Sequence, residues 1–342
     1  MRKVKNLANL ACHLLMATIL FSLVLSWHVG ARAAAQTITI IVGFSPGGTY
    51  DLYARVLGQH LGQHLANNPT VVVENMPGAG GIRAANYLYR VAPRDGSMIG
   101  TFARGVVIGP LFGQGNFDAT KFNWIGSVTD DVNVCLAWHT SPVKSWNDLL
   151  TKPFTVAGEG AQADADIYAN LIKHLFHAPI KLVSGYPGSN DISLAMERGE
   201  VDGACALSYS TVKSTWSEKL QNKDINILFQ AGVKKAPDLP NVPLLTDLTQ
   251  NPHEKEILKL IMGVQGMARP FVAPPGLSDN SRNALRQAFT ETMRDAAFLD
   301  EIKKMKLEVN PSNGADLEAL VTALYQTPTE VVAQAKQAIA EP

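Results

Sequence analysis

Cysteine is scarce in this chain: three among 342 residues, with Cys12 in the N-terminal apolar segment and only Cys135 and Cys205 beyond it. Two cysteines cannot staple a disulfide-dense scaffold. They fit either one disulfide or two buried thiols. Neither charge is in excess, with 30 basic and 30 acidic residues, so no basic patch argues for nucleic acid. No stretch after the first thirty residues approaches the length of a membrane span. No close repeat implies a solenoid. The phosphate-loop ending Gly-Lys-Ser/Thr and the dinucleotide pattern Gly-x-Gly-x-x-Gly are missing from the glycine turns. His-Glu-x-x-His is absent, and no nucleophile stands out beside a base, so no enzyme is expected.

What remains, 46% hydrophobic and 18% charged, is a globular protein long enough for two domains. Met1-Arg2-Lys3-Val4-Lys5, an apolar run over residues 14–29, and Ala31-Arg32-Ala33-Ala34-Ala35 read together as a secretory signal peptide over 1–35, cleaved near Ala33 or Ala35. It carries Arg2, Lys3, Lys5 and Arg32 and no acid, leaving 26 basic and 30 acidic residues, a charge of −4.

The chain is organised by its first mature segment. Residues 38–42, Ile-Thr-Ile-Ile-Val, form an apolar, β-branched run that predicts a buried parallel strand. Ser45-Pro46-Gly47-Gly48 turns the chain. Leu52, Val56, Leu57, Leu61 and Leu65 then recur at helical spacing, with Thr49 or Asp51 as the expected N-cap. Strand, glycine turn and helix start make either a plain βα turn or an anion cradle of the Gly47, Gly48 and Thr49 N–H groups. Without a lysine, such a cradle suits a carboxylate or small polar ligand better than a polyphosphate.

The same grammar recurs. Residues 71–74 are followed by Asn75-Met76-Pro77-Gly78-Ala79-Gly80-Gly81 and a helix; residues 98–102 form a third strand ending near Arg104. An apolar run at 132–138 reads as the crossing to a second domain. There residues 154–157 lead into Gly158-Glu159-Gly160-Ala161 and a helix from Asp164, and residues 181–184 lead into Gly185-Tyr186-Pro187-Gly188-Ser189, with Ser189 as expected N-cap. Strands at 201–207 and 225–230 complete that sheet. Residues 258–272 read as an extended return path, and a long amphipathic helix from Ser278 through Ile302 follows. The expected fold class is α/β: two lobes, each a mainly parallel sheet flanked by helices, closing on a ligand as a periplasmic flytrap.

Arg104, where a strand of this architecture meets the cleft, is a candidate to hold a carboxylate bidentately, or else a partner in an ion pair. Arg83 is a weaker candidate. Cys135 with His139, and the pairs His60/His64 and His174/His177, make no complete triad or metal site. Tyr186, Trp138 and Tyr209 serve equally as ligand walls or as core.

Residues 41–51, 72–81, 186–189, 238–243 and 271–276 carry a specific resemblance, in order and over essentially the whole mature chain, to the extracytoplasmic receptors of tripartite tricarboxylate transporters, the Bug family. The paired Pro-Gly-Gly and Asn-x-Pro-Gly-Ala-Gly-Gly turns are its most distinctive parts. The resemblance implies a monomeric two-lobed periplasmic receptor without cofactor or metal. It would bind a small carboxylate or amino-acid-like ligand by cleft closure and deliver it to a membrane permease of one large and one small integral subunit. Lobe one is expected over 36–135 with 266–342 and lobe two over 136–265. By the same resemblance, Phe44, Ser45, Pro46, Gly47, Gly48 and Thr49, with the second-lobe turn at 157–163, clamp a carboxylate, partly through water. Asp51, Gly78, Ala79, Gly80, Arg104, Gly158, Gly160, Ala161, Gln162, Asp164, Tyr186 and Ser189 complete the expected site. Many relatives have a Ser/Thr/His-rich turn where this chain has Gly158-Glu159-Gly160-Ala161-Gln162-Ala163-Asp164. Glu159 or Asp164 facing the cleft would repel a second carboxylate and favour an amine; the alternative is that both point to solvent or that Asp164 only caps its helix. The alternatives are a sensing subunit that signals through a membrane partner, or a secreted α/β enzyme.

Overall fold

A computed structural model of the chain describes residues 37–160, 163–186 and 188–340. The segment expected to be a signal peptide, Ala161, Gln162 and Pro187 lie outside the described residues.

The run at 38–42 is strand β1 (Thr37–Val42). Its side chains are buried on both faces: Ile38, Ile40 and Val42 in one core cluster and Ile41 in another. That explains an apolar run instead of alternation. β2 (Thr70–Asn75) and β3 (Met98–Thr101) pair parallel to it on either side. Helices α1 (Thr49–Leu61) and α2 (Ile82–Arg90) cover opposite faces. The parallel trio is extended antiparallel by β10 (Pro270–Ala273), which in turn pairs with β4 (Asn123–Ser127) and β4 with β11 (Ser312–Asn313), giving the order β11-β4-β10-β3-β1-β2.

The second sheet has the order β7-β6-β8-β5-β9, from β5 (Asn133–Trp138), β6 (Phe154–Ala157), β7 (Ile180–Val183), β8 (Gly203–Ser208) and β9 (Ile225–Ala231). β6, β7 and β8 are parallel and β5 lies antiparallel between β8 and β9. Cys135 and Cys205, on these neighbouring strands, are joined by a disulfide. Helices α3 (Trp146–Thr151), α4 (Asp164–Phe176), α5 (Ser189–Glu197), α6 (Tyr209–Ser214), α7 (Ser217–Gln221) and α8 (Pro252–Gly263) flank this sheet.

Four local expectations change. Residues 258–267 are not extended: the end of α8 and a 3-10 turn over Val264–Met267 occupy them, and the chain is extended only from Pro270. The long helix is two, α9 (Asp279–Thr292) and α10 (Ala296–Lys304), because Asp295 caps a new start by accepting the Ala297 N–H at 2.8 Å. The expected break between residues 135 and 136 falls inside β5. After α11 (Gly314–Tyr325), the last helix α12 (Thr329–Ala338) packs on α8 and α4, although the sequence placed its residues with the first lobe.

The sheets are connected by two segments that run side by side. Val128 donates to the Arg269 carbonyl (3.2 Å), Ala268 to that of Thr129 (3.1 Å) and Asp131 to that of Gln265 (3.5 Å). No helix among the described residues is long and apolar enough to cross a membrane.

Candidate functional site

The carboxyl ends of the parallel strands of both sheets open onto one cavity of about 700 Å³. From the first lobe it is lined by Phe44, Gly48, Thr49, Tyr50, Ala79, Gly80, Arg104 and Arg269, and from the second by Asn133, Glu159, Gly160, Asp164 and Ser189 among others. Other expected site residues stand back. Ser45, Pro46 and Gly47 are exposed on the outer part of their turn; Gly78 packs toward Arg83. Tyr186 leans on the core cluster of its own lobe. Ala161 and Gln162 lie outside the described residues.

Asp51 is a correction. It is buried, and its carboxylate accepts the Gly47 N–H (2.8 Å), Arg55 Nε (2.8 Å) and Asn75 Nδ2 (2.8 Å). Burial alone would raise its pKa, but the hydrogen bonds from Arg55, Gly47 and Asn75 outweigh that and hold it below the ordinary value. Asp51 therefore organises the turn from behind and is not among the residues that line the cleft. The helix N-cap is Gly48, with no side-chain cap, not Thr49 or Asp51.

The second lobe repeats the device. Asp166, the third residue of α4 as Asp51 is of α1, accepts the N–H groups of Glu159 (2.7 Å) and Gly160 (2.9 Å) and the Ser184 hydroxyl. Gly158 is required here, since a Cβ would lie 2.4 Å from Asp166 Oδ2. The two glycine turns are thus closed by the protein's own carboxylates, and a ligand meets the helix starts beyond them. Gly188, not Ser189, is the N-cap of α5, which leaves the Ser189 side chain on the cleft wall.

Arg104 is also reassigned. A buried guanidinium needs a counter-charge, and Asp164 provides it across the cleft: Arg104 Nη2 donates to Asp164 Oδ2 (3.1 Å) and to Asn133 Oδ1 (2.7 Å). Burial pulls the Arg104 pKa down, but Asp164 and its neighbours more than compensate, so the group stays charged. Of the two expected roles, the ion pair between lobes is the one present.

Sequence reasoning missed Arg269, on the crossing just before β10. It is 5% exposed, Nη1 donates to the Ala268 carbonyl (2.7 Å), and Nε has no partner. Its Cζ lies 4.7 Å from the centroid of Tyr50, whose ring stacks on Phe44. It forms no ion pair among the described residues. The signal was a lone cation in the apolar stretch 260–273.

Glu159 lines the cleft from the second lobe, with part of its surface open to solvent. Desolvation raises its pKa, with Asp164 and Asp166 adding repulsion. Gly43-Phe44-Ser45-Pro46-Gly47 has the letters of a nucleophile elbow, a match the sequence reading overlooked, yet Ser45 is exposed and bonds to no histidine among the described residues. His60 pairs with Glu301 (2.9 Å), His64 with Asp295 (3.2 Å), and His174 meets the Ala338 carbonyl (2.8 Å), all away from the cleft.

Two α/β lobes with a cleft at their strand ends, lined by two arginines and two acids, define a solute-binding protein of the periplasmic type. Residues 53–335 match the tripartite tricarboxylate transporter family receptor, TctC, and the chain belongs to that family, one of receptors and not of enzymes. A curated relative, the UPF0065 protein in the gbd 5' region of Cupriavidus necator, is 26% identical over 80% of this chain and 79% of its own. The periplasmic binding protein BugD has 21% identity and a TM-score of 0.64, covering 87% of this chain and 97% of its own. A Rhodopseudomonas palustris protein solved with adipate has 20% identity and a TM-score of 0.65, over 90% and 99%. MatC of the same organism, with bound malate, has 18% identity and 0.63, over 90% and 100%.

Proposed function

We propose that the chain is a periplasmic receptor that captures a small carboxylate or amino-acid-like solute in this cleft and passes it to a membrane permease of one large and one small integral subunit. Cleavage of residues 1–35 as a signal peptide would release the receptor to the periplasm. Arg269 carries the ligand class. An almost buried guanidinium that forms no ion pair among the described residues is costly until an anion arrives. Arg104 is already paired with Asp164, so among the described residues Arg269 is the cleft's open cation and calls for one carboxylate. Thr49 and the start of α1 add donors next to it. Glu159, opposite, would accept from the ammonium group of an amino-acid-like ligand. The adipate and malate held by the two similar structures are in keeping with a small organic acid.

Closure would be a hinge motion about the paired crossings at 128–131 and 265–269, with the first lobe over 37–127 and 270–327 and the second over 133–263 with α12. Because Arg269 lies on one crossing, a solute bound to it couples directly to the hinge. Calorimetric titration of short acids and amino acids into refolded, ligand-free protein tests this reading. Arg269→Ala should weaken binding by roughly 1.5–3 kcal/mol, the range for hydrogen bonds to charged groups, and small-angle scattering should show a smaller radius of gyration with solute. An unchanged affinity would remove Arg269 from the site.

A further inference from the structure

The segment after β3, Arg104-Gly105-Val106-Val107-Ile108-Gly109-Pro110-Leu111-Phe112, is apolar in all but its first residue. It winds as successive 3-10 turns; Val106 and Val107 join the core of the first lobe, and Ile108 and Phe112 pack with that of the second. Val106, Ile108 and Phe112 also wall a second cavity, of about 300 Å³ and more enclosed than the cleft. The opposite wall is built by the second lobe, from Ile167 of α4, Ile261 of α8 and Ile339 after α12. Ala79, Gly80 and Asp164 border both cavities, so the chamber adjoins the cleft beside the Arg104–Asp164 pair.

The chamber is partly open to solvent, and apolar wall left wet is covered favourably by an apolar group. An aliphatic cavity of about 150 Å³ is known to stay dry and to take up benzene. Beside a cleft with one unpaired guanidinium, such a chamber has an evident occupant. We infer that the solute is an amphipathic monocarboxylate, its carboxylate at Arg269 and its alkyl or aryl body in this chamber, and that dicarboxylates are disfavoured. The inference rests on the carboxylate reading of the cleft.

A second carboxylate is disfavoured by the acids on the second-lobe wall: Glu159 and Asp164 both line the cleft, and Asp164 already holds the one guanidinium beside it. Desolvation, with repulsion from Asp164 and Asp166 added, raises the Glu159 pKa, so further negative charge is unwelcome there. Lys336 borders the chamber but is exposed, and a water-screened ammonium offers little to a distal carboxylate.

Calorimetry with acetate, butyrate, hexanoate, norleucine, malate and adipate on ligand-free protein tests it, with Ile167→Phe to fill the chamber and Phe112→Leu to widen it. Affinity should rise about fourfold per methylene from acetate to hexanoate. Ile167→Phe should weaken hexanoate about tenfold or more while leaving acetate within about twofold. Phe112→Leu should move the preferred chain length upward. Norleucine against hexanoate tells a plain acid from an α-amino acid, and either as the tighter ligand supports the shared chemistry. Affinity independent of chain length, adipate or malate binding more tightly than hexanoate, or equal losses for acetate and hexanoate in Ile167→Phe would overturn the inference alone. If no acid binds the wild-type protein, the carboxylate reading falls and this falls with it.

Discussion

Asp51 and Asp166 hold the same place in the two lobes: third residue of the helix that follows a sheet strand, carboxylate turned back on the glycine turn. The sequence displays an acid in the first helical turn but not its direction, and ligand contact and turn support look alike at that level. Arg104 and Arg269 were illegible for a similar reason: which arginine is neutralised depends on Asp164 arriving from the other lobe. The Asp51 assignment predicts a pH signature. A carboxylate with a lowered folded pKa gives stability that is fully present above its ordinary 3.8 and is lost as pH falls through the lower folded value. Asp51→Asn should therefore be less stable by about 1–3 kcal/mol at pH 7. Its gap to wild type in thermal melting should close as pH drops below 3.8. A gap constant down to acid pH would contradict the role.

At the scale of elements, the strands with β-branched runs and glycine turns were readable: β1, β2, β3, β6 and β7 lie where their patterns put them. β4 and β11 were not, since β4 is Asn-Trp-Ile-Gly-Ser and β11 only two residues, both recruited by pairing along the sheet edge. The split between α9 and α10 was hidden because the apolar stripe continues across the break. The disulfide was open in the sequence because bonding distance is set by β5 lying next to β8, seventy residues later. Native protein should show no free thiol under denaturing titration without reductant. The double variant Cys135→Ala, Cys205→Ala should lose about 2–4 kcal/mol in denaturant unfolding. Two free thiols in the oxidised protein would rule the bond out.

For the whole molecule, the two-lobed α/β architecture was legible because the strand, glycine turn and helix grammar appears in both halves. Where the lobes join was not, because the crossings at 128–131 and 265–269 are short, irregular and held to each other by backbone hydrogen bonds that no residue type announces. The same crossing carries Arg269, so on the proposed function binding and hinge would meet at one residue. The central claim, that this molecule reversibly holds one small organic acid, is tested most directly by native mass spectrometry of mature protein from its own periplasm, followed by denaturing release. The account predicts one carboxylate per chain, recovered unchanged and rebinding with an increase in melting temperature. Protein that emerges empty and is stabilised by no acid, or a compound altered on re-addition, would contradict it.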